Sequence, residues 1–174
     1  MNTIGTIEES SATECSMLKM MRKFNVELDK VRKAHLPEDF LRFHFTSKRK
    51  RMSTIMENCG QTEHGYDKRI HIKGASEIVL ASCTYYLNQD GQKIELQDEM
   101  KSNLLQIITD YAKQALRTIC FGYKDLKANE GGATHIEPDG EQPHIYSIEK
   151  TGFTLVAIVG SKDIIRKEVP HAVA

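Results

Sequence analysis

Between Leu41 and Lys73 three strand-like runs follow one another with no helix-length segment between them. The first, LRFHFTS (41–47), sets Leu41, Phe43 and Phe45 against Arg42, His44 and Thr46, the alternation of a half-buried strand. RMSTIME (51–57) is its antiparallel partner or its continuation, and Cys59-Gly60 begins a loop. YDKRIHIK (66–73) places Ile70 and Ile72 on one face and Arg69, His71 and Lys73 on the other. Runs joined without helical crossovers pair antiparallel, because a parallel neighbour needs a long return connection.

The rest of the chain fits that constraint. Before the strands, Met17, Leu18, Met21 and Phe24 recur at helical spacing, with Thr13 placed to cap and Glu14 in the first turn. VELDKVRKAH makes a second short helix that Pro37 stops. After them, Ser76 is placed to cap a helix carrying Ile78, Val79 and Leu80 and ending near Cys83. Asp90-Gly91 signals a hairpin. From Asp98 to Gln114, Met100, Leu104, Ile107, Ile108 and Tyr111, with Ala115 beyond, mark an amphipathic helix. LRTICFGYKDL (116–126) is a strand, residues 127–150 read as a long surface loop, and GFTLVAIVGSKD (152–163) reads as a strand buried on both faces. Hairpins outnumber crossovers, so the expected fold is α+β: a mainly antiparallel twisted β-sheet flanked by helices, in one domain over 1–174.

Composition narrows the function classes. Lysine plus arginine and aspartate plus glutamate balance at 24 each, so no global field draws nucleic acid or an anionic membrane. The longest uncharged stretch, residues 78–89, is too short to span a bilayer, and no signal-peptide pattern opens the chain. Cys15, Cys59, Cys83 and Cys120 show no zinc-ligand spacing and read as free thiols of a reducing compartment. The expectation is a cytoplasmic domain without direct membrane insertion.

No Walker-type loop, G-x-S-x-G or H-E-x-x-H occurs, and the seven histidines do not cluster. No catalytic residue and no metal ligand is therefore assigned. Two places remain. Lys48, Arg49, Lys50 and Arg51 follow Phe45, and such a run is a solvated turn, a polyanion patch or, beside an aromatic ring, what an adenine nucleotide requires. Alternation assigns Phe45 itself to the core. Lys73, on the polar parity of its strand, is either exposed or reaching for a ligand, and Gly74 removes bulk beside it. Arg117 shares a parity with Ile119, Phe121 and Tyr123, and either reaches water or meets an anion.

Taken together, ATEC, FTSKRKRM, KGASE, ALRTICFGYKDL and VAIVGSKDIIRKEVP, in this order over nearly the whole chain, resemble the nucleotide-binding domain of P-type cation-transporting ATPases. KGASE running into IVLASC looks most like the calcium pumps of the plasma-membrane type. The resemblance implies an open ATP groove. In it Phe45 would stack on adenine, Glu14 would approach the adenine amino group or its neighbours, and Lys50 and Lys73 would line the base and phosphate side. Gly74 would let the ring come close, Met52 and Ile119 would supply apolar wall, and Arg117 would hold the phosphate end. Asp163 and Arg166, within 161–170, match the start of a hinge to a phosphorylation domain. Ser10 stands where the family usually has glycine, and Ile164 where the hinge usually has proline.

The same resemblance makes the chain the cytoplasmic nucleotide-binding piece of an integral membrane pump, an ATP-driven calcium translocase. Its partners would be ATP and the pump's phosphorylation and actuator domains. Mg²⁺ would arrive with ATP in the whole pump and not be held here. The Asp-Lys-Thr-Gly-Thr loop is absent from the 174 residues. A monomer that binds ATP without hydrolysing it is therefore expected, since aspartyl-phosphate chemistry needs that carboxylate. The alternative is a polyanion- or protein-interaction domain using the basic run 48–51.

Overall fold

A computed structural model describes residues 12–35, 40–56, 68–126 and 145–162. Ser10, Pro37, the Cys59-Gly60 loop start, most of the loop over 127–150 and the hinge residues Asp163 and Arg166 lie outside the described residues. Contacts divide the chain into two compact units, Met1–Glu38 and Asp39–Ala174.

In the first unit, α1 (Ala12–Lys23) and α2 (Leu28–His35) form where the sequence places helices. Thr13 falls inside the first turn of α1 rather than at its cap. Helix α1 ends by a left-handed Asn25 at φ 57, after which the Val26 N–H donates back to the Met21 carbonyl at 3.1 Å. That crossing of bonds satisfies carbonyls the last turn leaves open.

The second unit is built on one seven-stranded sheet. Its strands are β1 (Phe40–Phe43), β2 (Arg51–Met56), β3 (Arg69–Ala75), β4 (Cys83–Leu87), β5 (Lys93–Glu95), β6 (Leu116–Asp125) and β7 (Phe153–Lys162). The spatial order is β1-β2-β3-β6-β7-β4-β5, antiparallel except where β4 runs parallel to β7. Helix α3 (Ser76–Ala81) leaves directly from β3, and α4 (Asp98–Lys113) joins β5 to β6. The expected α+β architecture and the predominance of antiparallel pairing are both present.

Directly opposed residues share a face, which sorts the side chains. Ile55, Ile70 and Ile72 turn inward with Val79, Leu80, Ile108, Cys120 and Phe153, forming one core between the sheet and helices α3 and α4. Each such aliphatic or aromatic side chain removed from water contributes about 1.5–3 kcal/mol. Met52, Thr54, His71, Lys73, Phe121 and Tyr123 occupy the other face.

The structure revises several sequence expectations. Strand β1 ends at Phe43, not Ser47, and at the sheet edge Leu41 is exposed while Phe43 is buried. Ser76 is the first residue of α3 and not its cap: Ala75 holds that position, and the Ser76 hydroxyl is buried with no partner. On α4 the inward stripe is Leu104, Ile108 and Tyr111, whereas Met100 and Ile107 face water. Strand β7 is buried on both faces only over Phe153–Leu155, and Val156 is exposed. The presumed surface loop ends in a buried segment, Ile145, Ile148 and Glu149, the last two within a 3-10 turn over Ser147–Glu149.

Thiols Cys83 and Cys120 are buried and Cys15 is half-buried. A hydrogen bond with Cys83, added to burial, pushes the Cys120 thiol well above its ordinary range, so it stays protonated.

The β4–β5 hairpin forms as Asp90-Gly91 signals. The Asn88 side-chain oxygen accepts from the N–H groups of Asp90 and Gln92, and Gly91 sits at φ 73 with open space around it. Gly91→Ala therefore meets only the backbone penalty of a left-handed residue and is expected to cost about 1–2 kcal/mol in urea unfolding. A null effect there would remove the left-handed turn from the account.

Candidate nucleotide site

The open face of the sheet brings four of the residues matched by resemblance into one array. Met52 on β2 lies opposite Lys73 on β3, and Lys73 opposite Phe121 on β6. One step further along, Ala75 opposes Ile119, which is buried, and the exposed Arg117 projects from the same side two residues before it, near the start of β6. A shallow groove of about 340 Å³ runs along this face, walled by Met52, Thr54, His71, Lys73, Phe121 and Tyr123. Its surface is mostly apolar, with polar atoms at a few points, the composition usual for sites that take a flat organic group.

Charge is distributed unevenly along the face. At one end the Arg69 Nε and Nη2 donate to both Asp125 carboxylate oxygens, the second at 3.0 Å, and the guanidinium covers the Tyr123 ring at 4.3 Å. That cation is locally neutralised. His71 is open to solvent yet crowded by its neighbours. This crowding and the nearby Arg69 hold its imidazole below the ordinary value, against a smaller opposing effect of Asp125, so it lines the groove as a neutral ring at pH 7. Lys73 and Arg117 stand toward the opposite end.

The segment between β1 and β2, residues 44–50, borders that same end. Phe45 lies two residues past the end of β1 and is 59% exposed, so the alternation that assigned it to the core does not reach it. Lys50 adopts a left-handed φ of 51, uncommon for a residue with a side chain. Its N–H donates to the Thr46 carbonyl at 2.8 Å, and its own carbonyl accepts from the Ala75 N–H at 2.9 Å. The first bond closes a turn within the segment and the second ties it to the end of β3, while the Lys50 side chain stays exposed.

Gly74 explains itself differently from the sequence reading. A Cβ there would lie 2.4 Å from the Lys50 carbonyl oxygen and 2.8 Å from the Arg51 Cα. The space its missing side chain leaves is filled by the chain's own backbone, so the glycine serves the approach of β2 to β3. Glu14 lies in the first turn of α1, in the N-terminal unit.

What sequence reasoning missed is Glu149. It is fully buried, and its carboxylate accepts from Arg49 Nη2 at 2.6 Å, from the Ser53 hydroxyl and from the Tyr146 N–H at 3.3 Å. Arg51 donates to the Glu149 carbonyl at 3.3 Å. The basic run thus splits: Arg49 (6% exposed) and Arg51 turn inward, while Lys48 and Lys50 face water. Burial pushes the Arg51 guanidinium down from its ordinary value, Glu149 opposes that and Arg49 adds to it. The available signal was Ile145 and Ile148 leading into the acid just before a buried strand. Among the described residues no group of three or more His, Cys, Asp or Glu is placed to hold a metal ion, and no helix is long and apolar enough to cross a membrane.

Residues 6–168 match the family described as P-type ATPase, cytoplasmic domain N. The chain is 42% identical over 130 residues, 75% of its length, to calcium-transporting ATPase 3, plasma membrane-type, of Oryza sativa subsp. japonica. It is 34% identical over 164 residues, 92% of its length, to plasma membrane calcium-transporting ATPase 1 of Homo sapiens, and 34% identical over 163 residues, 94% of its length, to calcium-transporting ATPase PAT1 of Dictyostelium discoideum. The matched parts are 11%, 12% and 13% of those proteins, so the chain spans about an eighth or less of each. With the family matched over nearly all of its length, and a sheet of the expected architecture, this chain belongs to the cytoplasmic N domains of P-type ATPases.

Proposed function

We propose that this chain binds ATP in the open groove and, within a larger calcium-transporting pump, presents the γ-phosphate to a phosphorylation domain. The observation that carries the reading is the convergence of Met52, Lys73, Ile119 and Arg117 on one sheet face, with exposed Phe45 on the segment tied to its edge. Adenine stacks on the Phe45 ring, Met52 gives apolar contact, the buried Ile119 supports the wall from beneath, and Lys50, Lys73 and Arg117 neutralise the phosphates. Nothing in this arrangement supplies a nucleophile, so the chain's own part is positioning: it lowers the entropic cost of phosphoryl transfer to a carboxylate carried outside these 174 residues. Mg²⁺ comes with the nucleotide.

Comparing ATP with inorganic triphosphate tests this reading. A stacked base contributes about 1–3 kcal/mol, so ATP is expected to bind about 5- to 150-fold more tightly than triphosphate. Equal affinities would sink the proposal and leave a polyanion site in its place. That alternative draws less support, because Arg49 and Arg51 are buried against Glu149 and only two cations of the run reach solvent.

Lys73 gives a second check. Its side chain is half-buried at the groove, where one solvent-accessible ion pair contributes about 0.2–1 kcal/mol. Lys73→Ala is expected to weaken ATP binding up to about fivefold with an unchanged melting temperature. Unfolding of that variant would make Lys73 a structural residue.

A further inference from the structure

Residues 44–50 carry both an exposed aromatic ring and a left-handed lysine, yet they lack regular structure to hold them. The support comes from below. Arg49 donates through Nη1 to the His44 carbonyl and through Nη2 to Glu149, so one guanidinium clamps the start of the segment to a buried acid 100 residues later in the chain. The same guanidinium lies 5.9 Å from the Phe43 ring centre and 5.3 Å from that of Tyr146, two rings stacked at 4.1 Å. The Arg49 N–H donates to the Thr46 hydroxyl at 3.2 Å, closing the turn whose carbonyl receives Lys50. Phe45 is enclosed between the two clamped residues, His44 and Thr46. Its own ring is exposed, so packing does little to fix it.

We propose that Glu149 is a positioning residue for the nucleotide: through Arg49 it sets the 44–50 segment so that Phe45 faces the base. The proposal rests on the ATP-binding reading above. Glu149 itself touches no ligand, because it is fully buried. A buried acid placed only to balance charge would need one arginine. This one also collects the Ser53 hydroxyl and the Tyr146 N–H, which leaves its carboxylate no freedom to turn. The left-handed Lys50 persists because bonds on both sides over-determine it, the situation in which local strain is retained at working sites.

The test is an NMR titration of the whole chain with adenosine, ATP and inorganic triphosphate, for the wild type, Glu149→Gln and Arg49→Lys. Glu149→Gln keeps the shape and loses the charge that holds Arg49. Arg49→Lys keeps the charge but, as a compact ammonium, cannot bridge His44 and Glu149 together. Both folded variants are expected to lose about fivefold in adenosine and ATP affinity, the lower end of what one stacked base is worth, with triphosphate affinity within about twofold of wild type. If Glu149→Gln does not fold, Arg49→Lys decides.

Two results overturn the proposal: folded variants that bind adenosine as the wild type does, or variants in which all three ligands weaken by one factor. A wild type whose Phe45 resonances ignore both adenosine and ATP instead overturns the ATP-binding reading, and the positioning role with it.

Discussion

Phe45→Ala lowers ATP affinity by about 5- to 150-fold, the full value of one stacked base, while leaving stability within about 0.5 kcal/mol of the parent. The two halves of that result are linked by one observation, the 59% exposure of the ring. A residue so exposed contributes little to the core, and alanine in its place opens no cavity. Any loss of binding is therefore a loss of contact with the ligand and not of the fold. Fluorescence- or NMR-detected titration of the variant alongside a thermal melt checks both halves. A variant that binds ATP normally would remove Phe45 from the site, and one that melts much earlier would return it to the core, where strand alternation alone had placed it.

Gly74→Ala is expected to act in the opposite way, through the fold. Alanine in a strand usually stabilises relative to glycine, because glycine gives up more freedom on folding. Here space decides the sign. The new methyl would sit 2.4 Å from the Lys50 carbonyl oxygen and 2.8 Å from the Arg51 Cα, both backbone atoms that no rotamer change can move aside. Relief requires β2 to draw away from β3 at the point where the Ala75 N–H meets the Lys50 carbonyl. Overpacking of this kind costs about 3 kcal/mol, or roughly 6–12 °C in Tm for a domain of this size. A Tm unchanged by the substitution would contradict the close approach. Because the same displacement moves Lys50, ATP binding should weaken even where the variant folds.

The contrast between those residues shows which parts of the molecule local sequence can encode. Ile70 and Ile72 face the core and His71 and Lys73 the groove because a strand alternates, and that is visible in eight letters. Asp90-Gly91 is equally local, since a turn needs a residue that tolerates positive φ and the sequence supplies one. The end of β1 is not local. Phe43 is its last residue because Arg49 captures the His44 carbonyl, and Arg49 is held by Glu149 across 100 residues of chain. Alternation read as far as Thr46 could not know of that clamp, and so gave Phe45 to the core.

The same limit accounts for Glu149 and for Ser76. An acid among prolines and glycines reads as solvated until the strand it meets is known, and a serine before a helical run reads as a cap until the preceding strand is seen to enter the helix directly. For the site, the resemblance named Met52, Lys73, Ile119 and Arg117 as wall and cation contacts, and the register places all four on one face. It also assigned Gly74 to the ligand, where the backbone of residues 50–51 already fills the space.

The most direct measurement is a titration of the chain with ATP, followed by NMR at Phe45, Lys73 and Arg117. One stacked base and a few exposed ion pairs predict saturable shifts at all three with a Kd on the order of 0.1–1 mM, about −4 to −5.5 kcal/mol. Absence of shifts at these residues in several times that concentration of ATP, roughly 5 mM, would contradict the account.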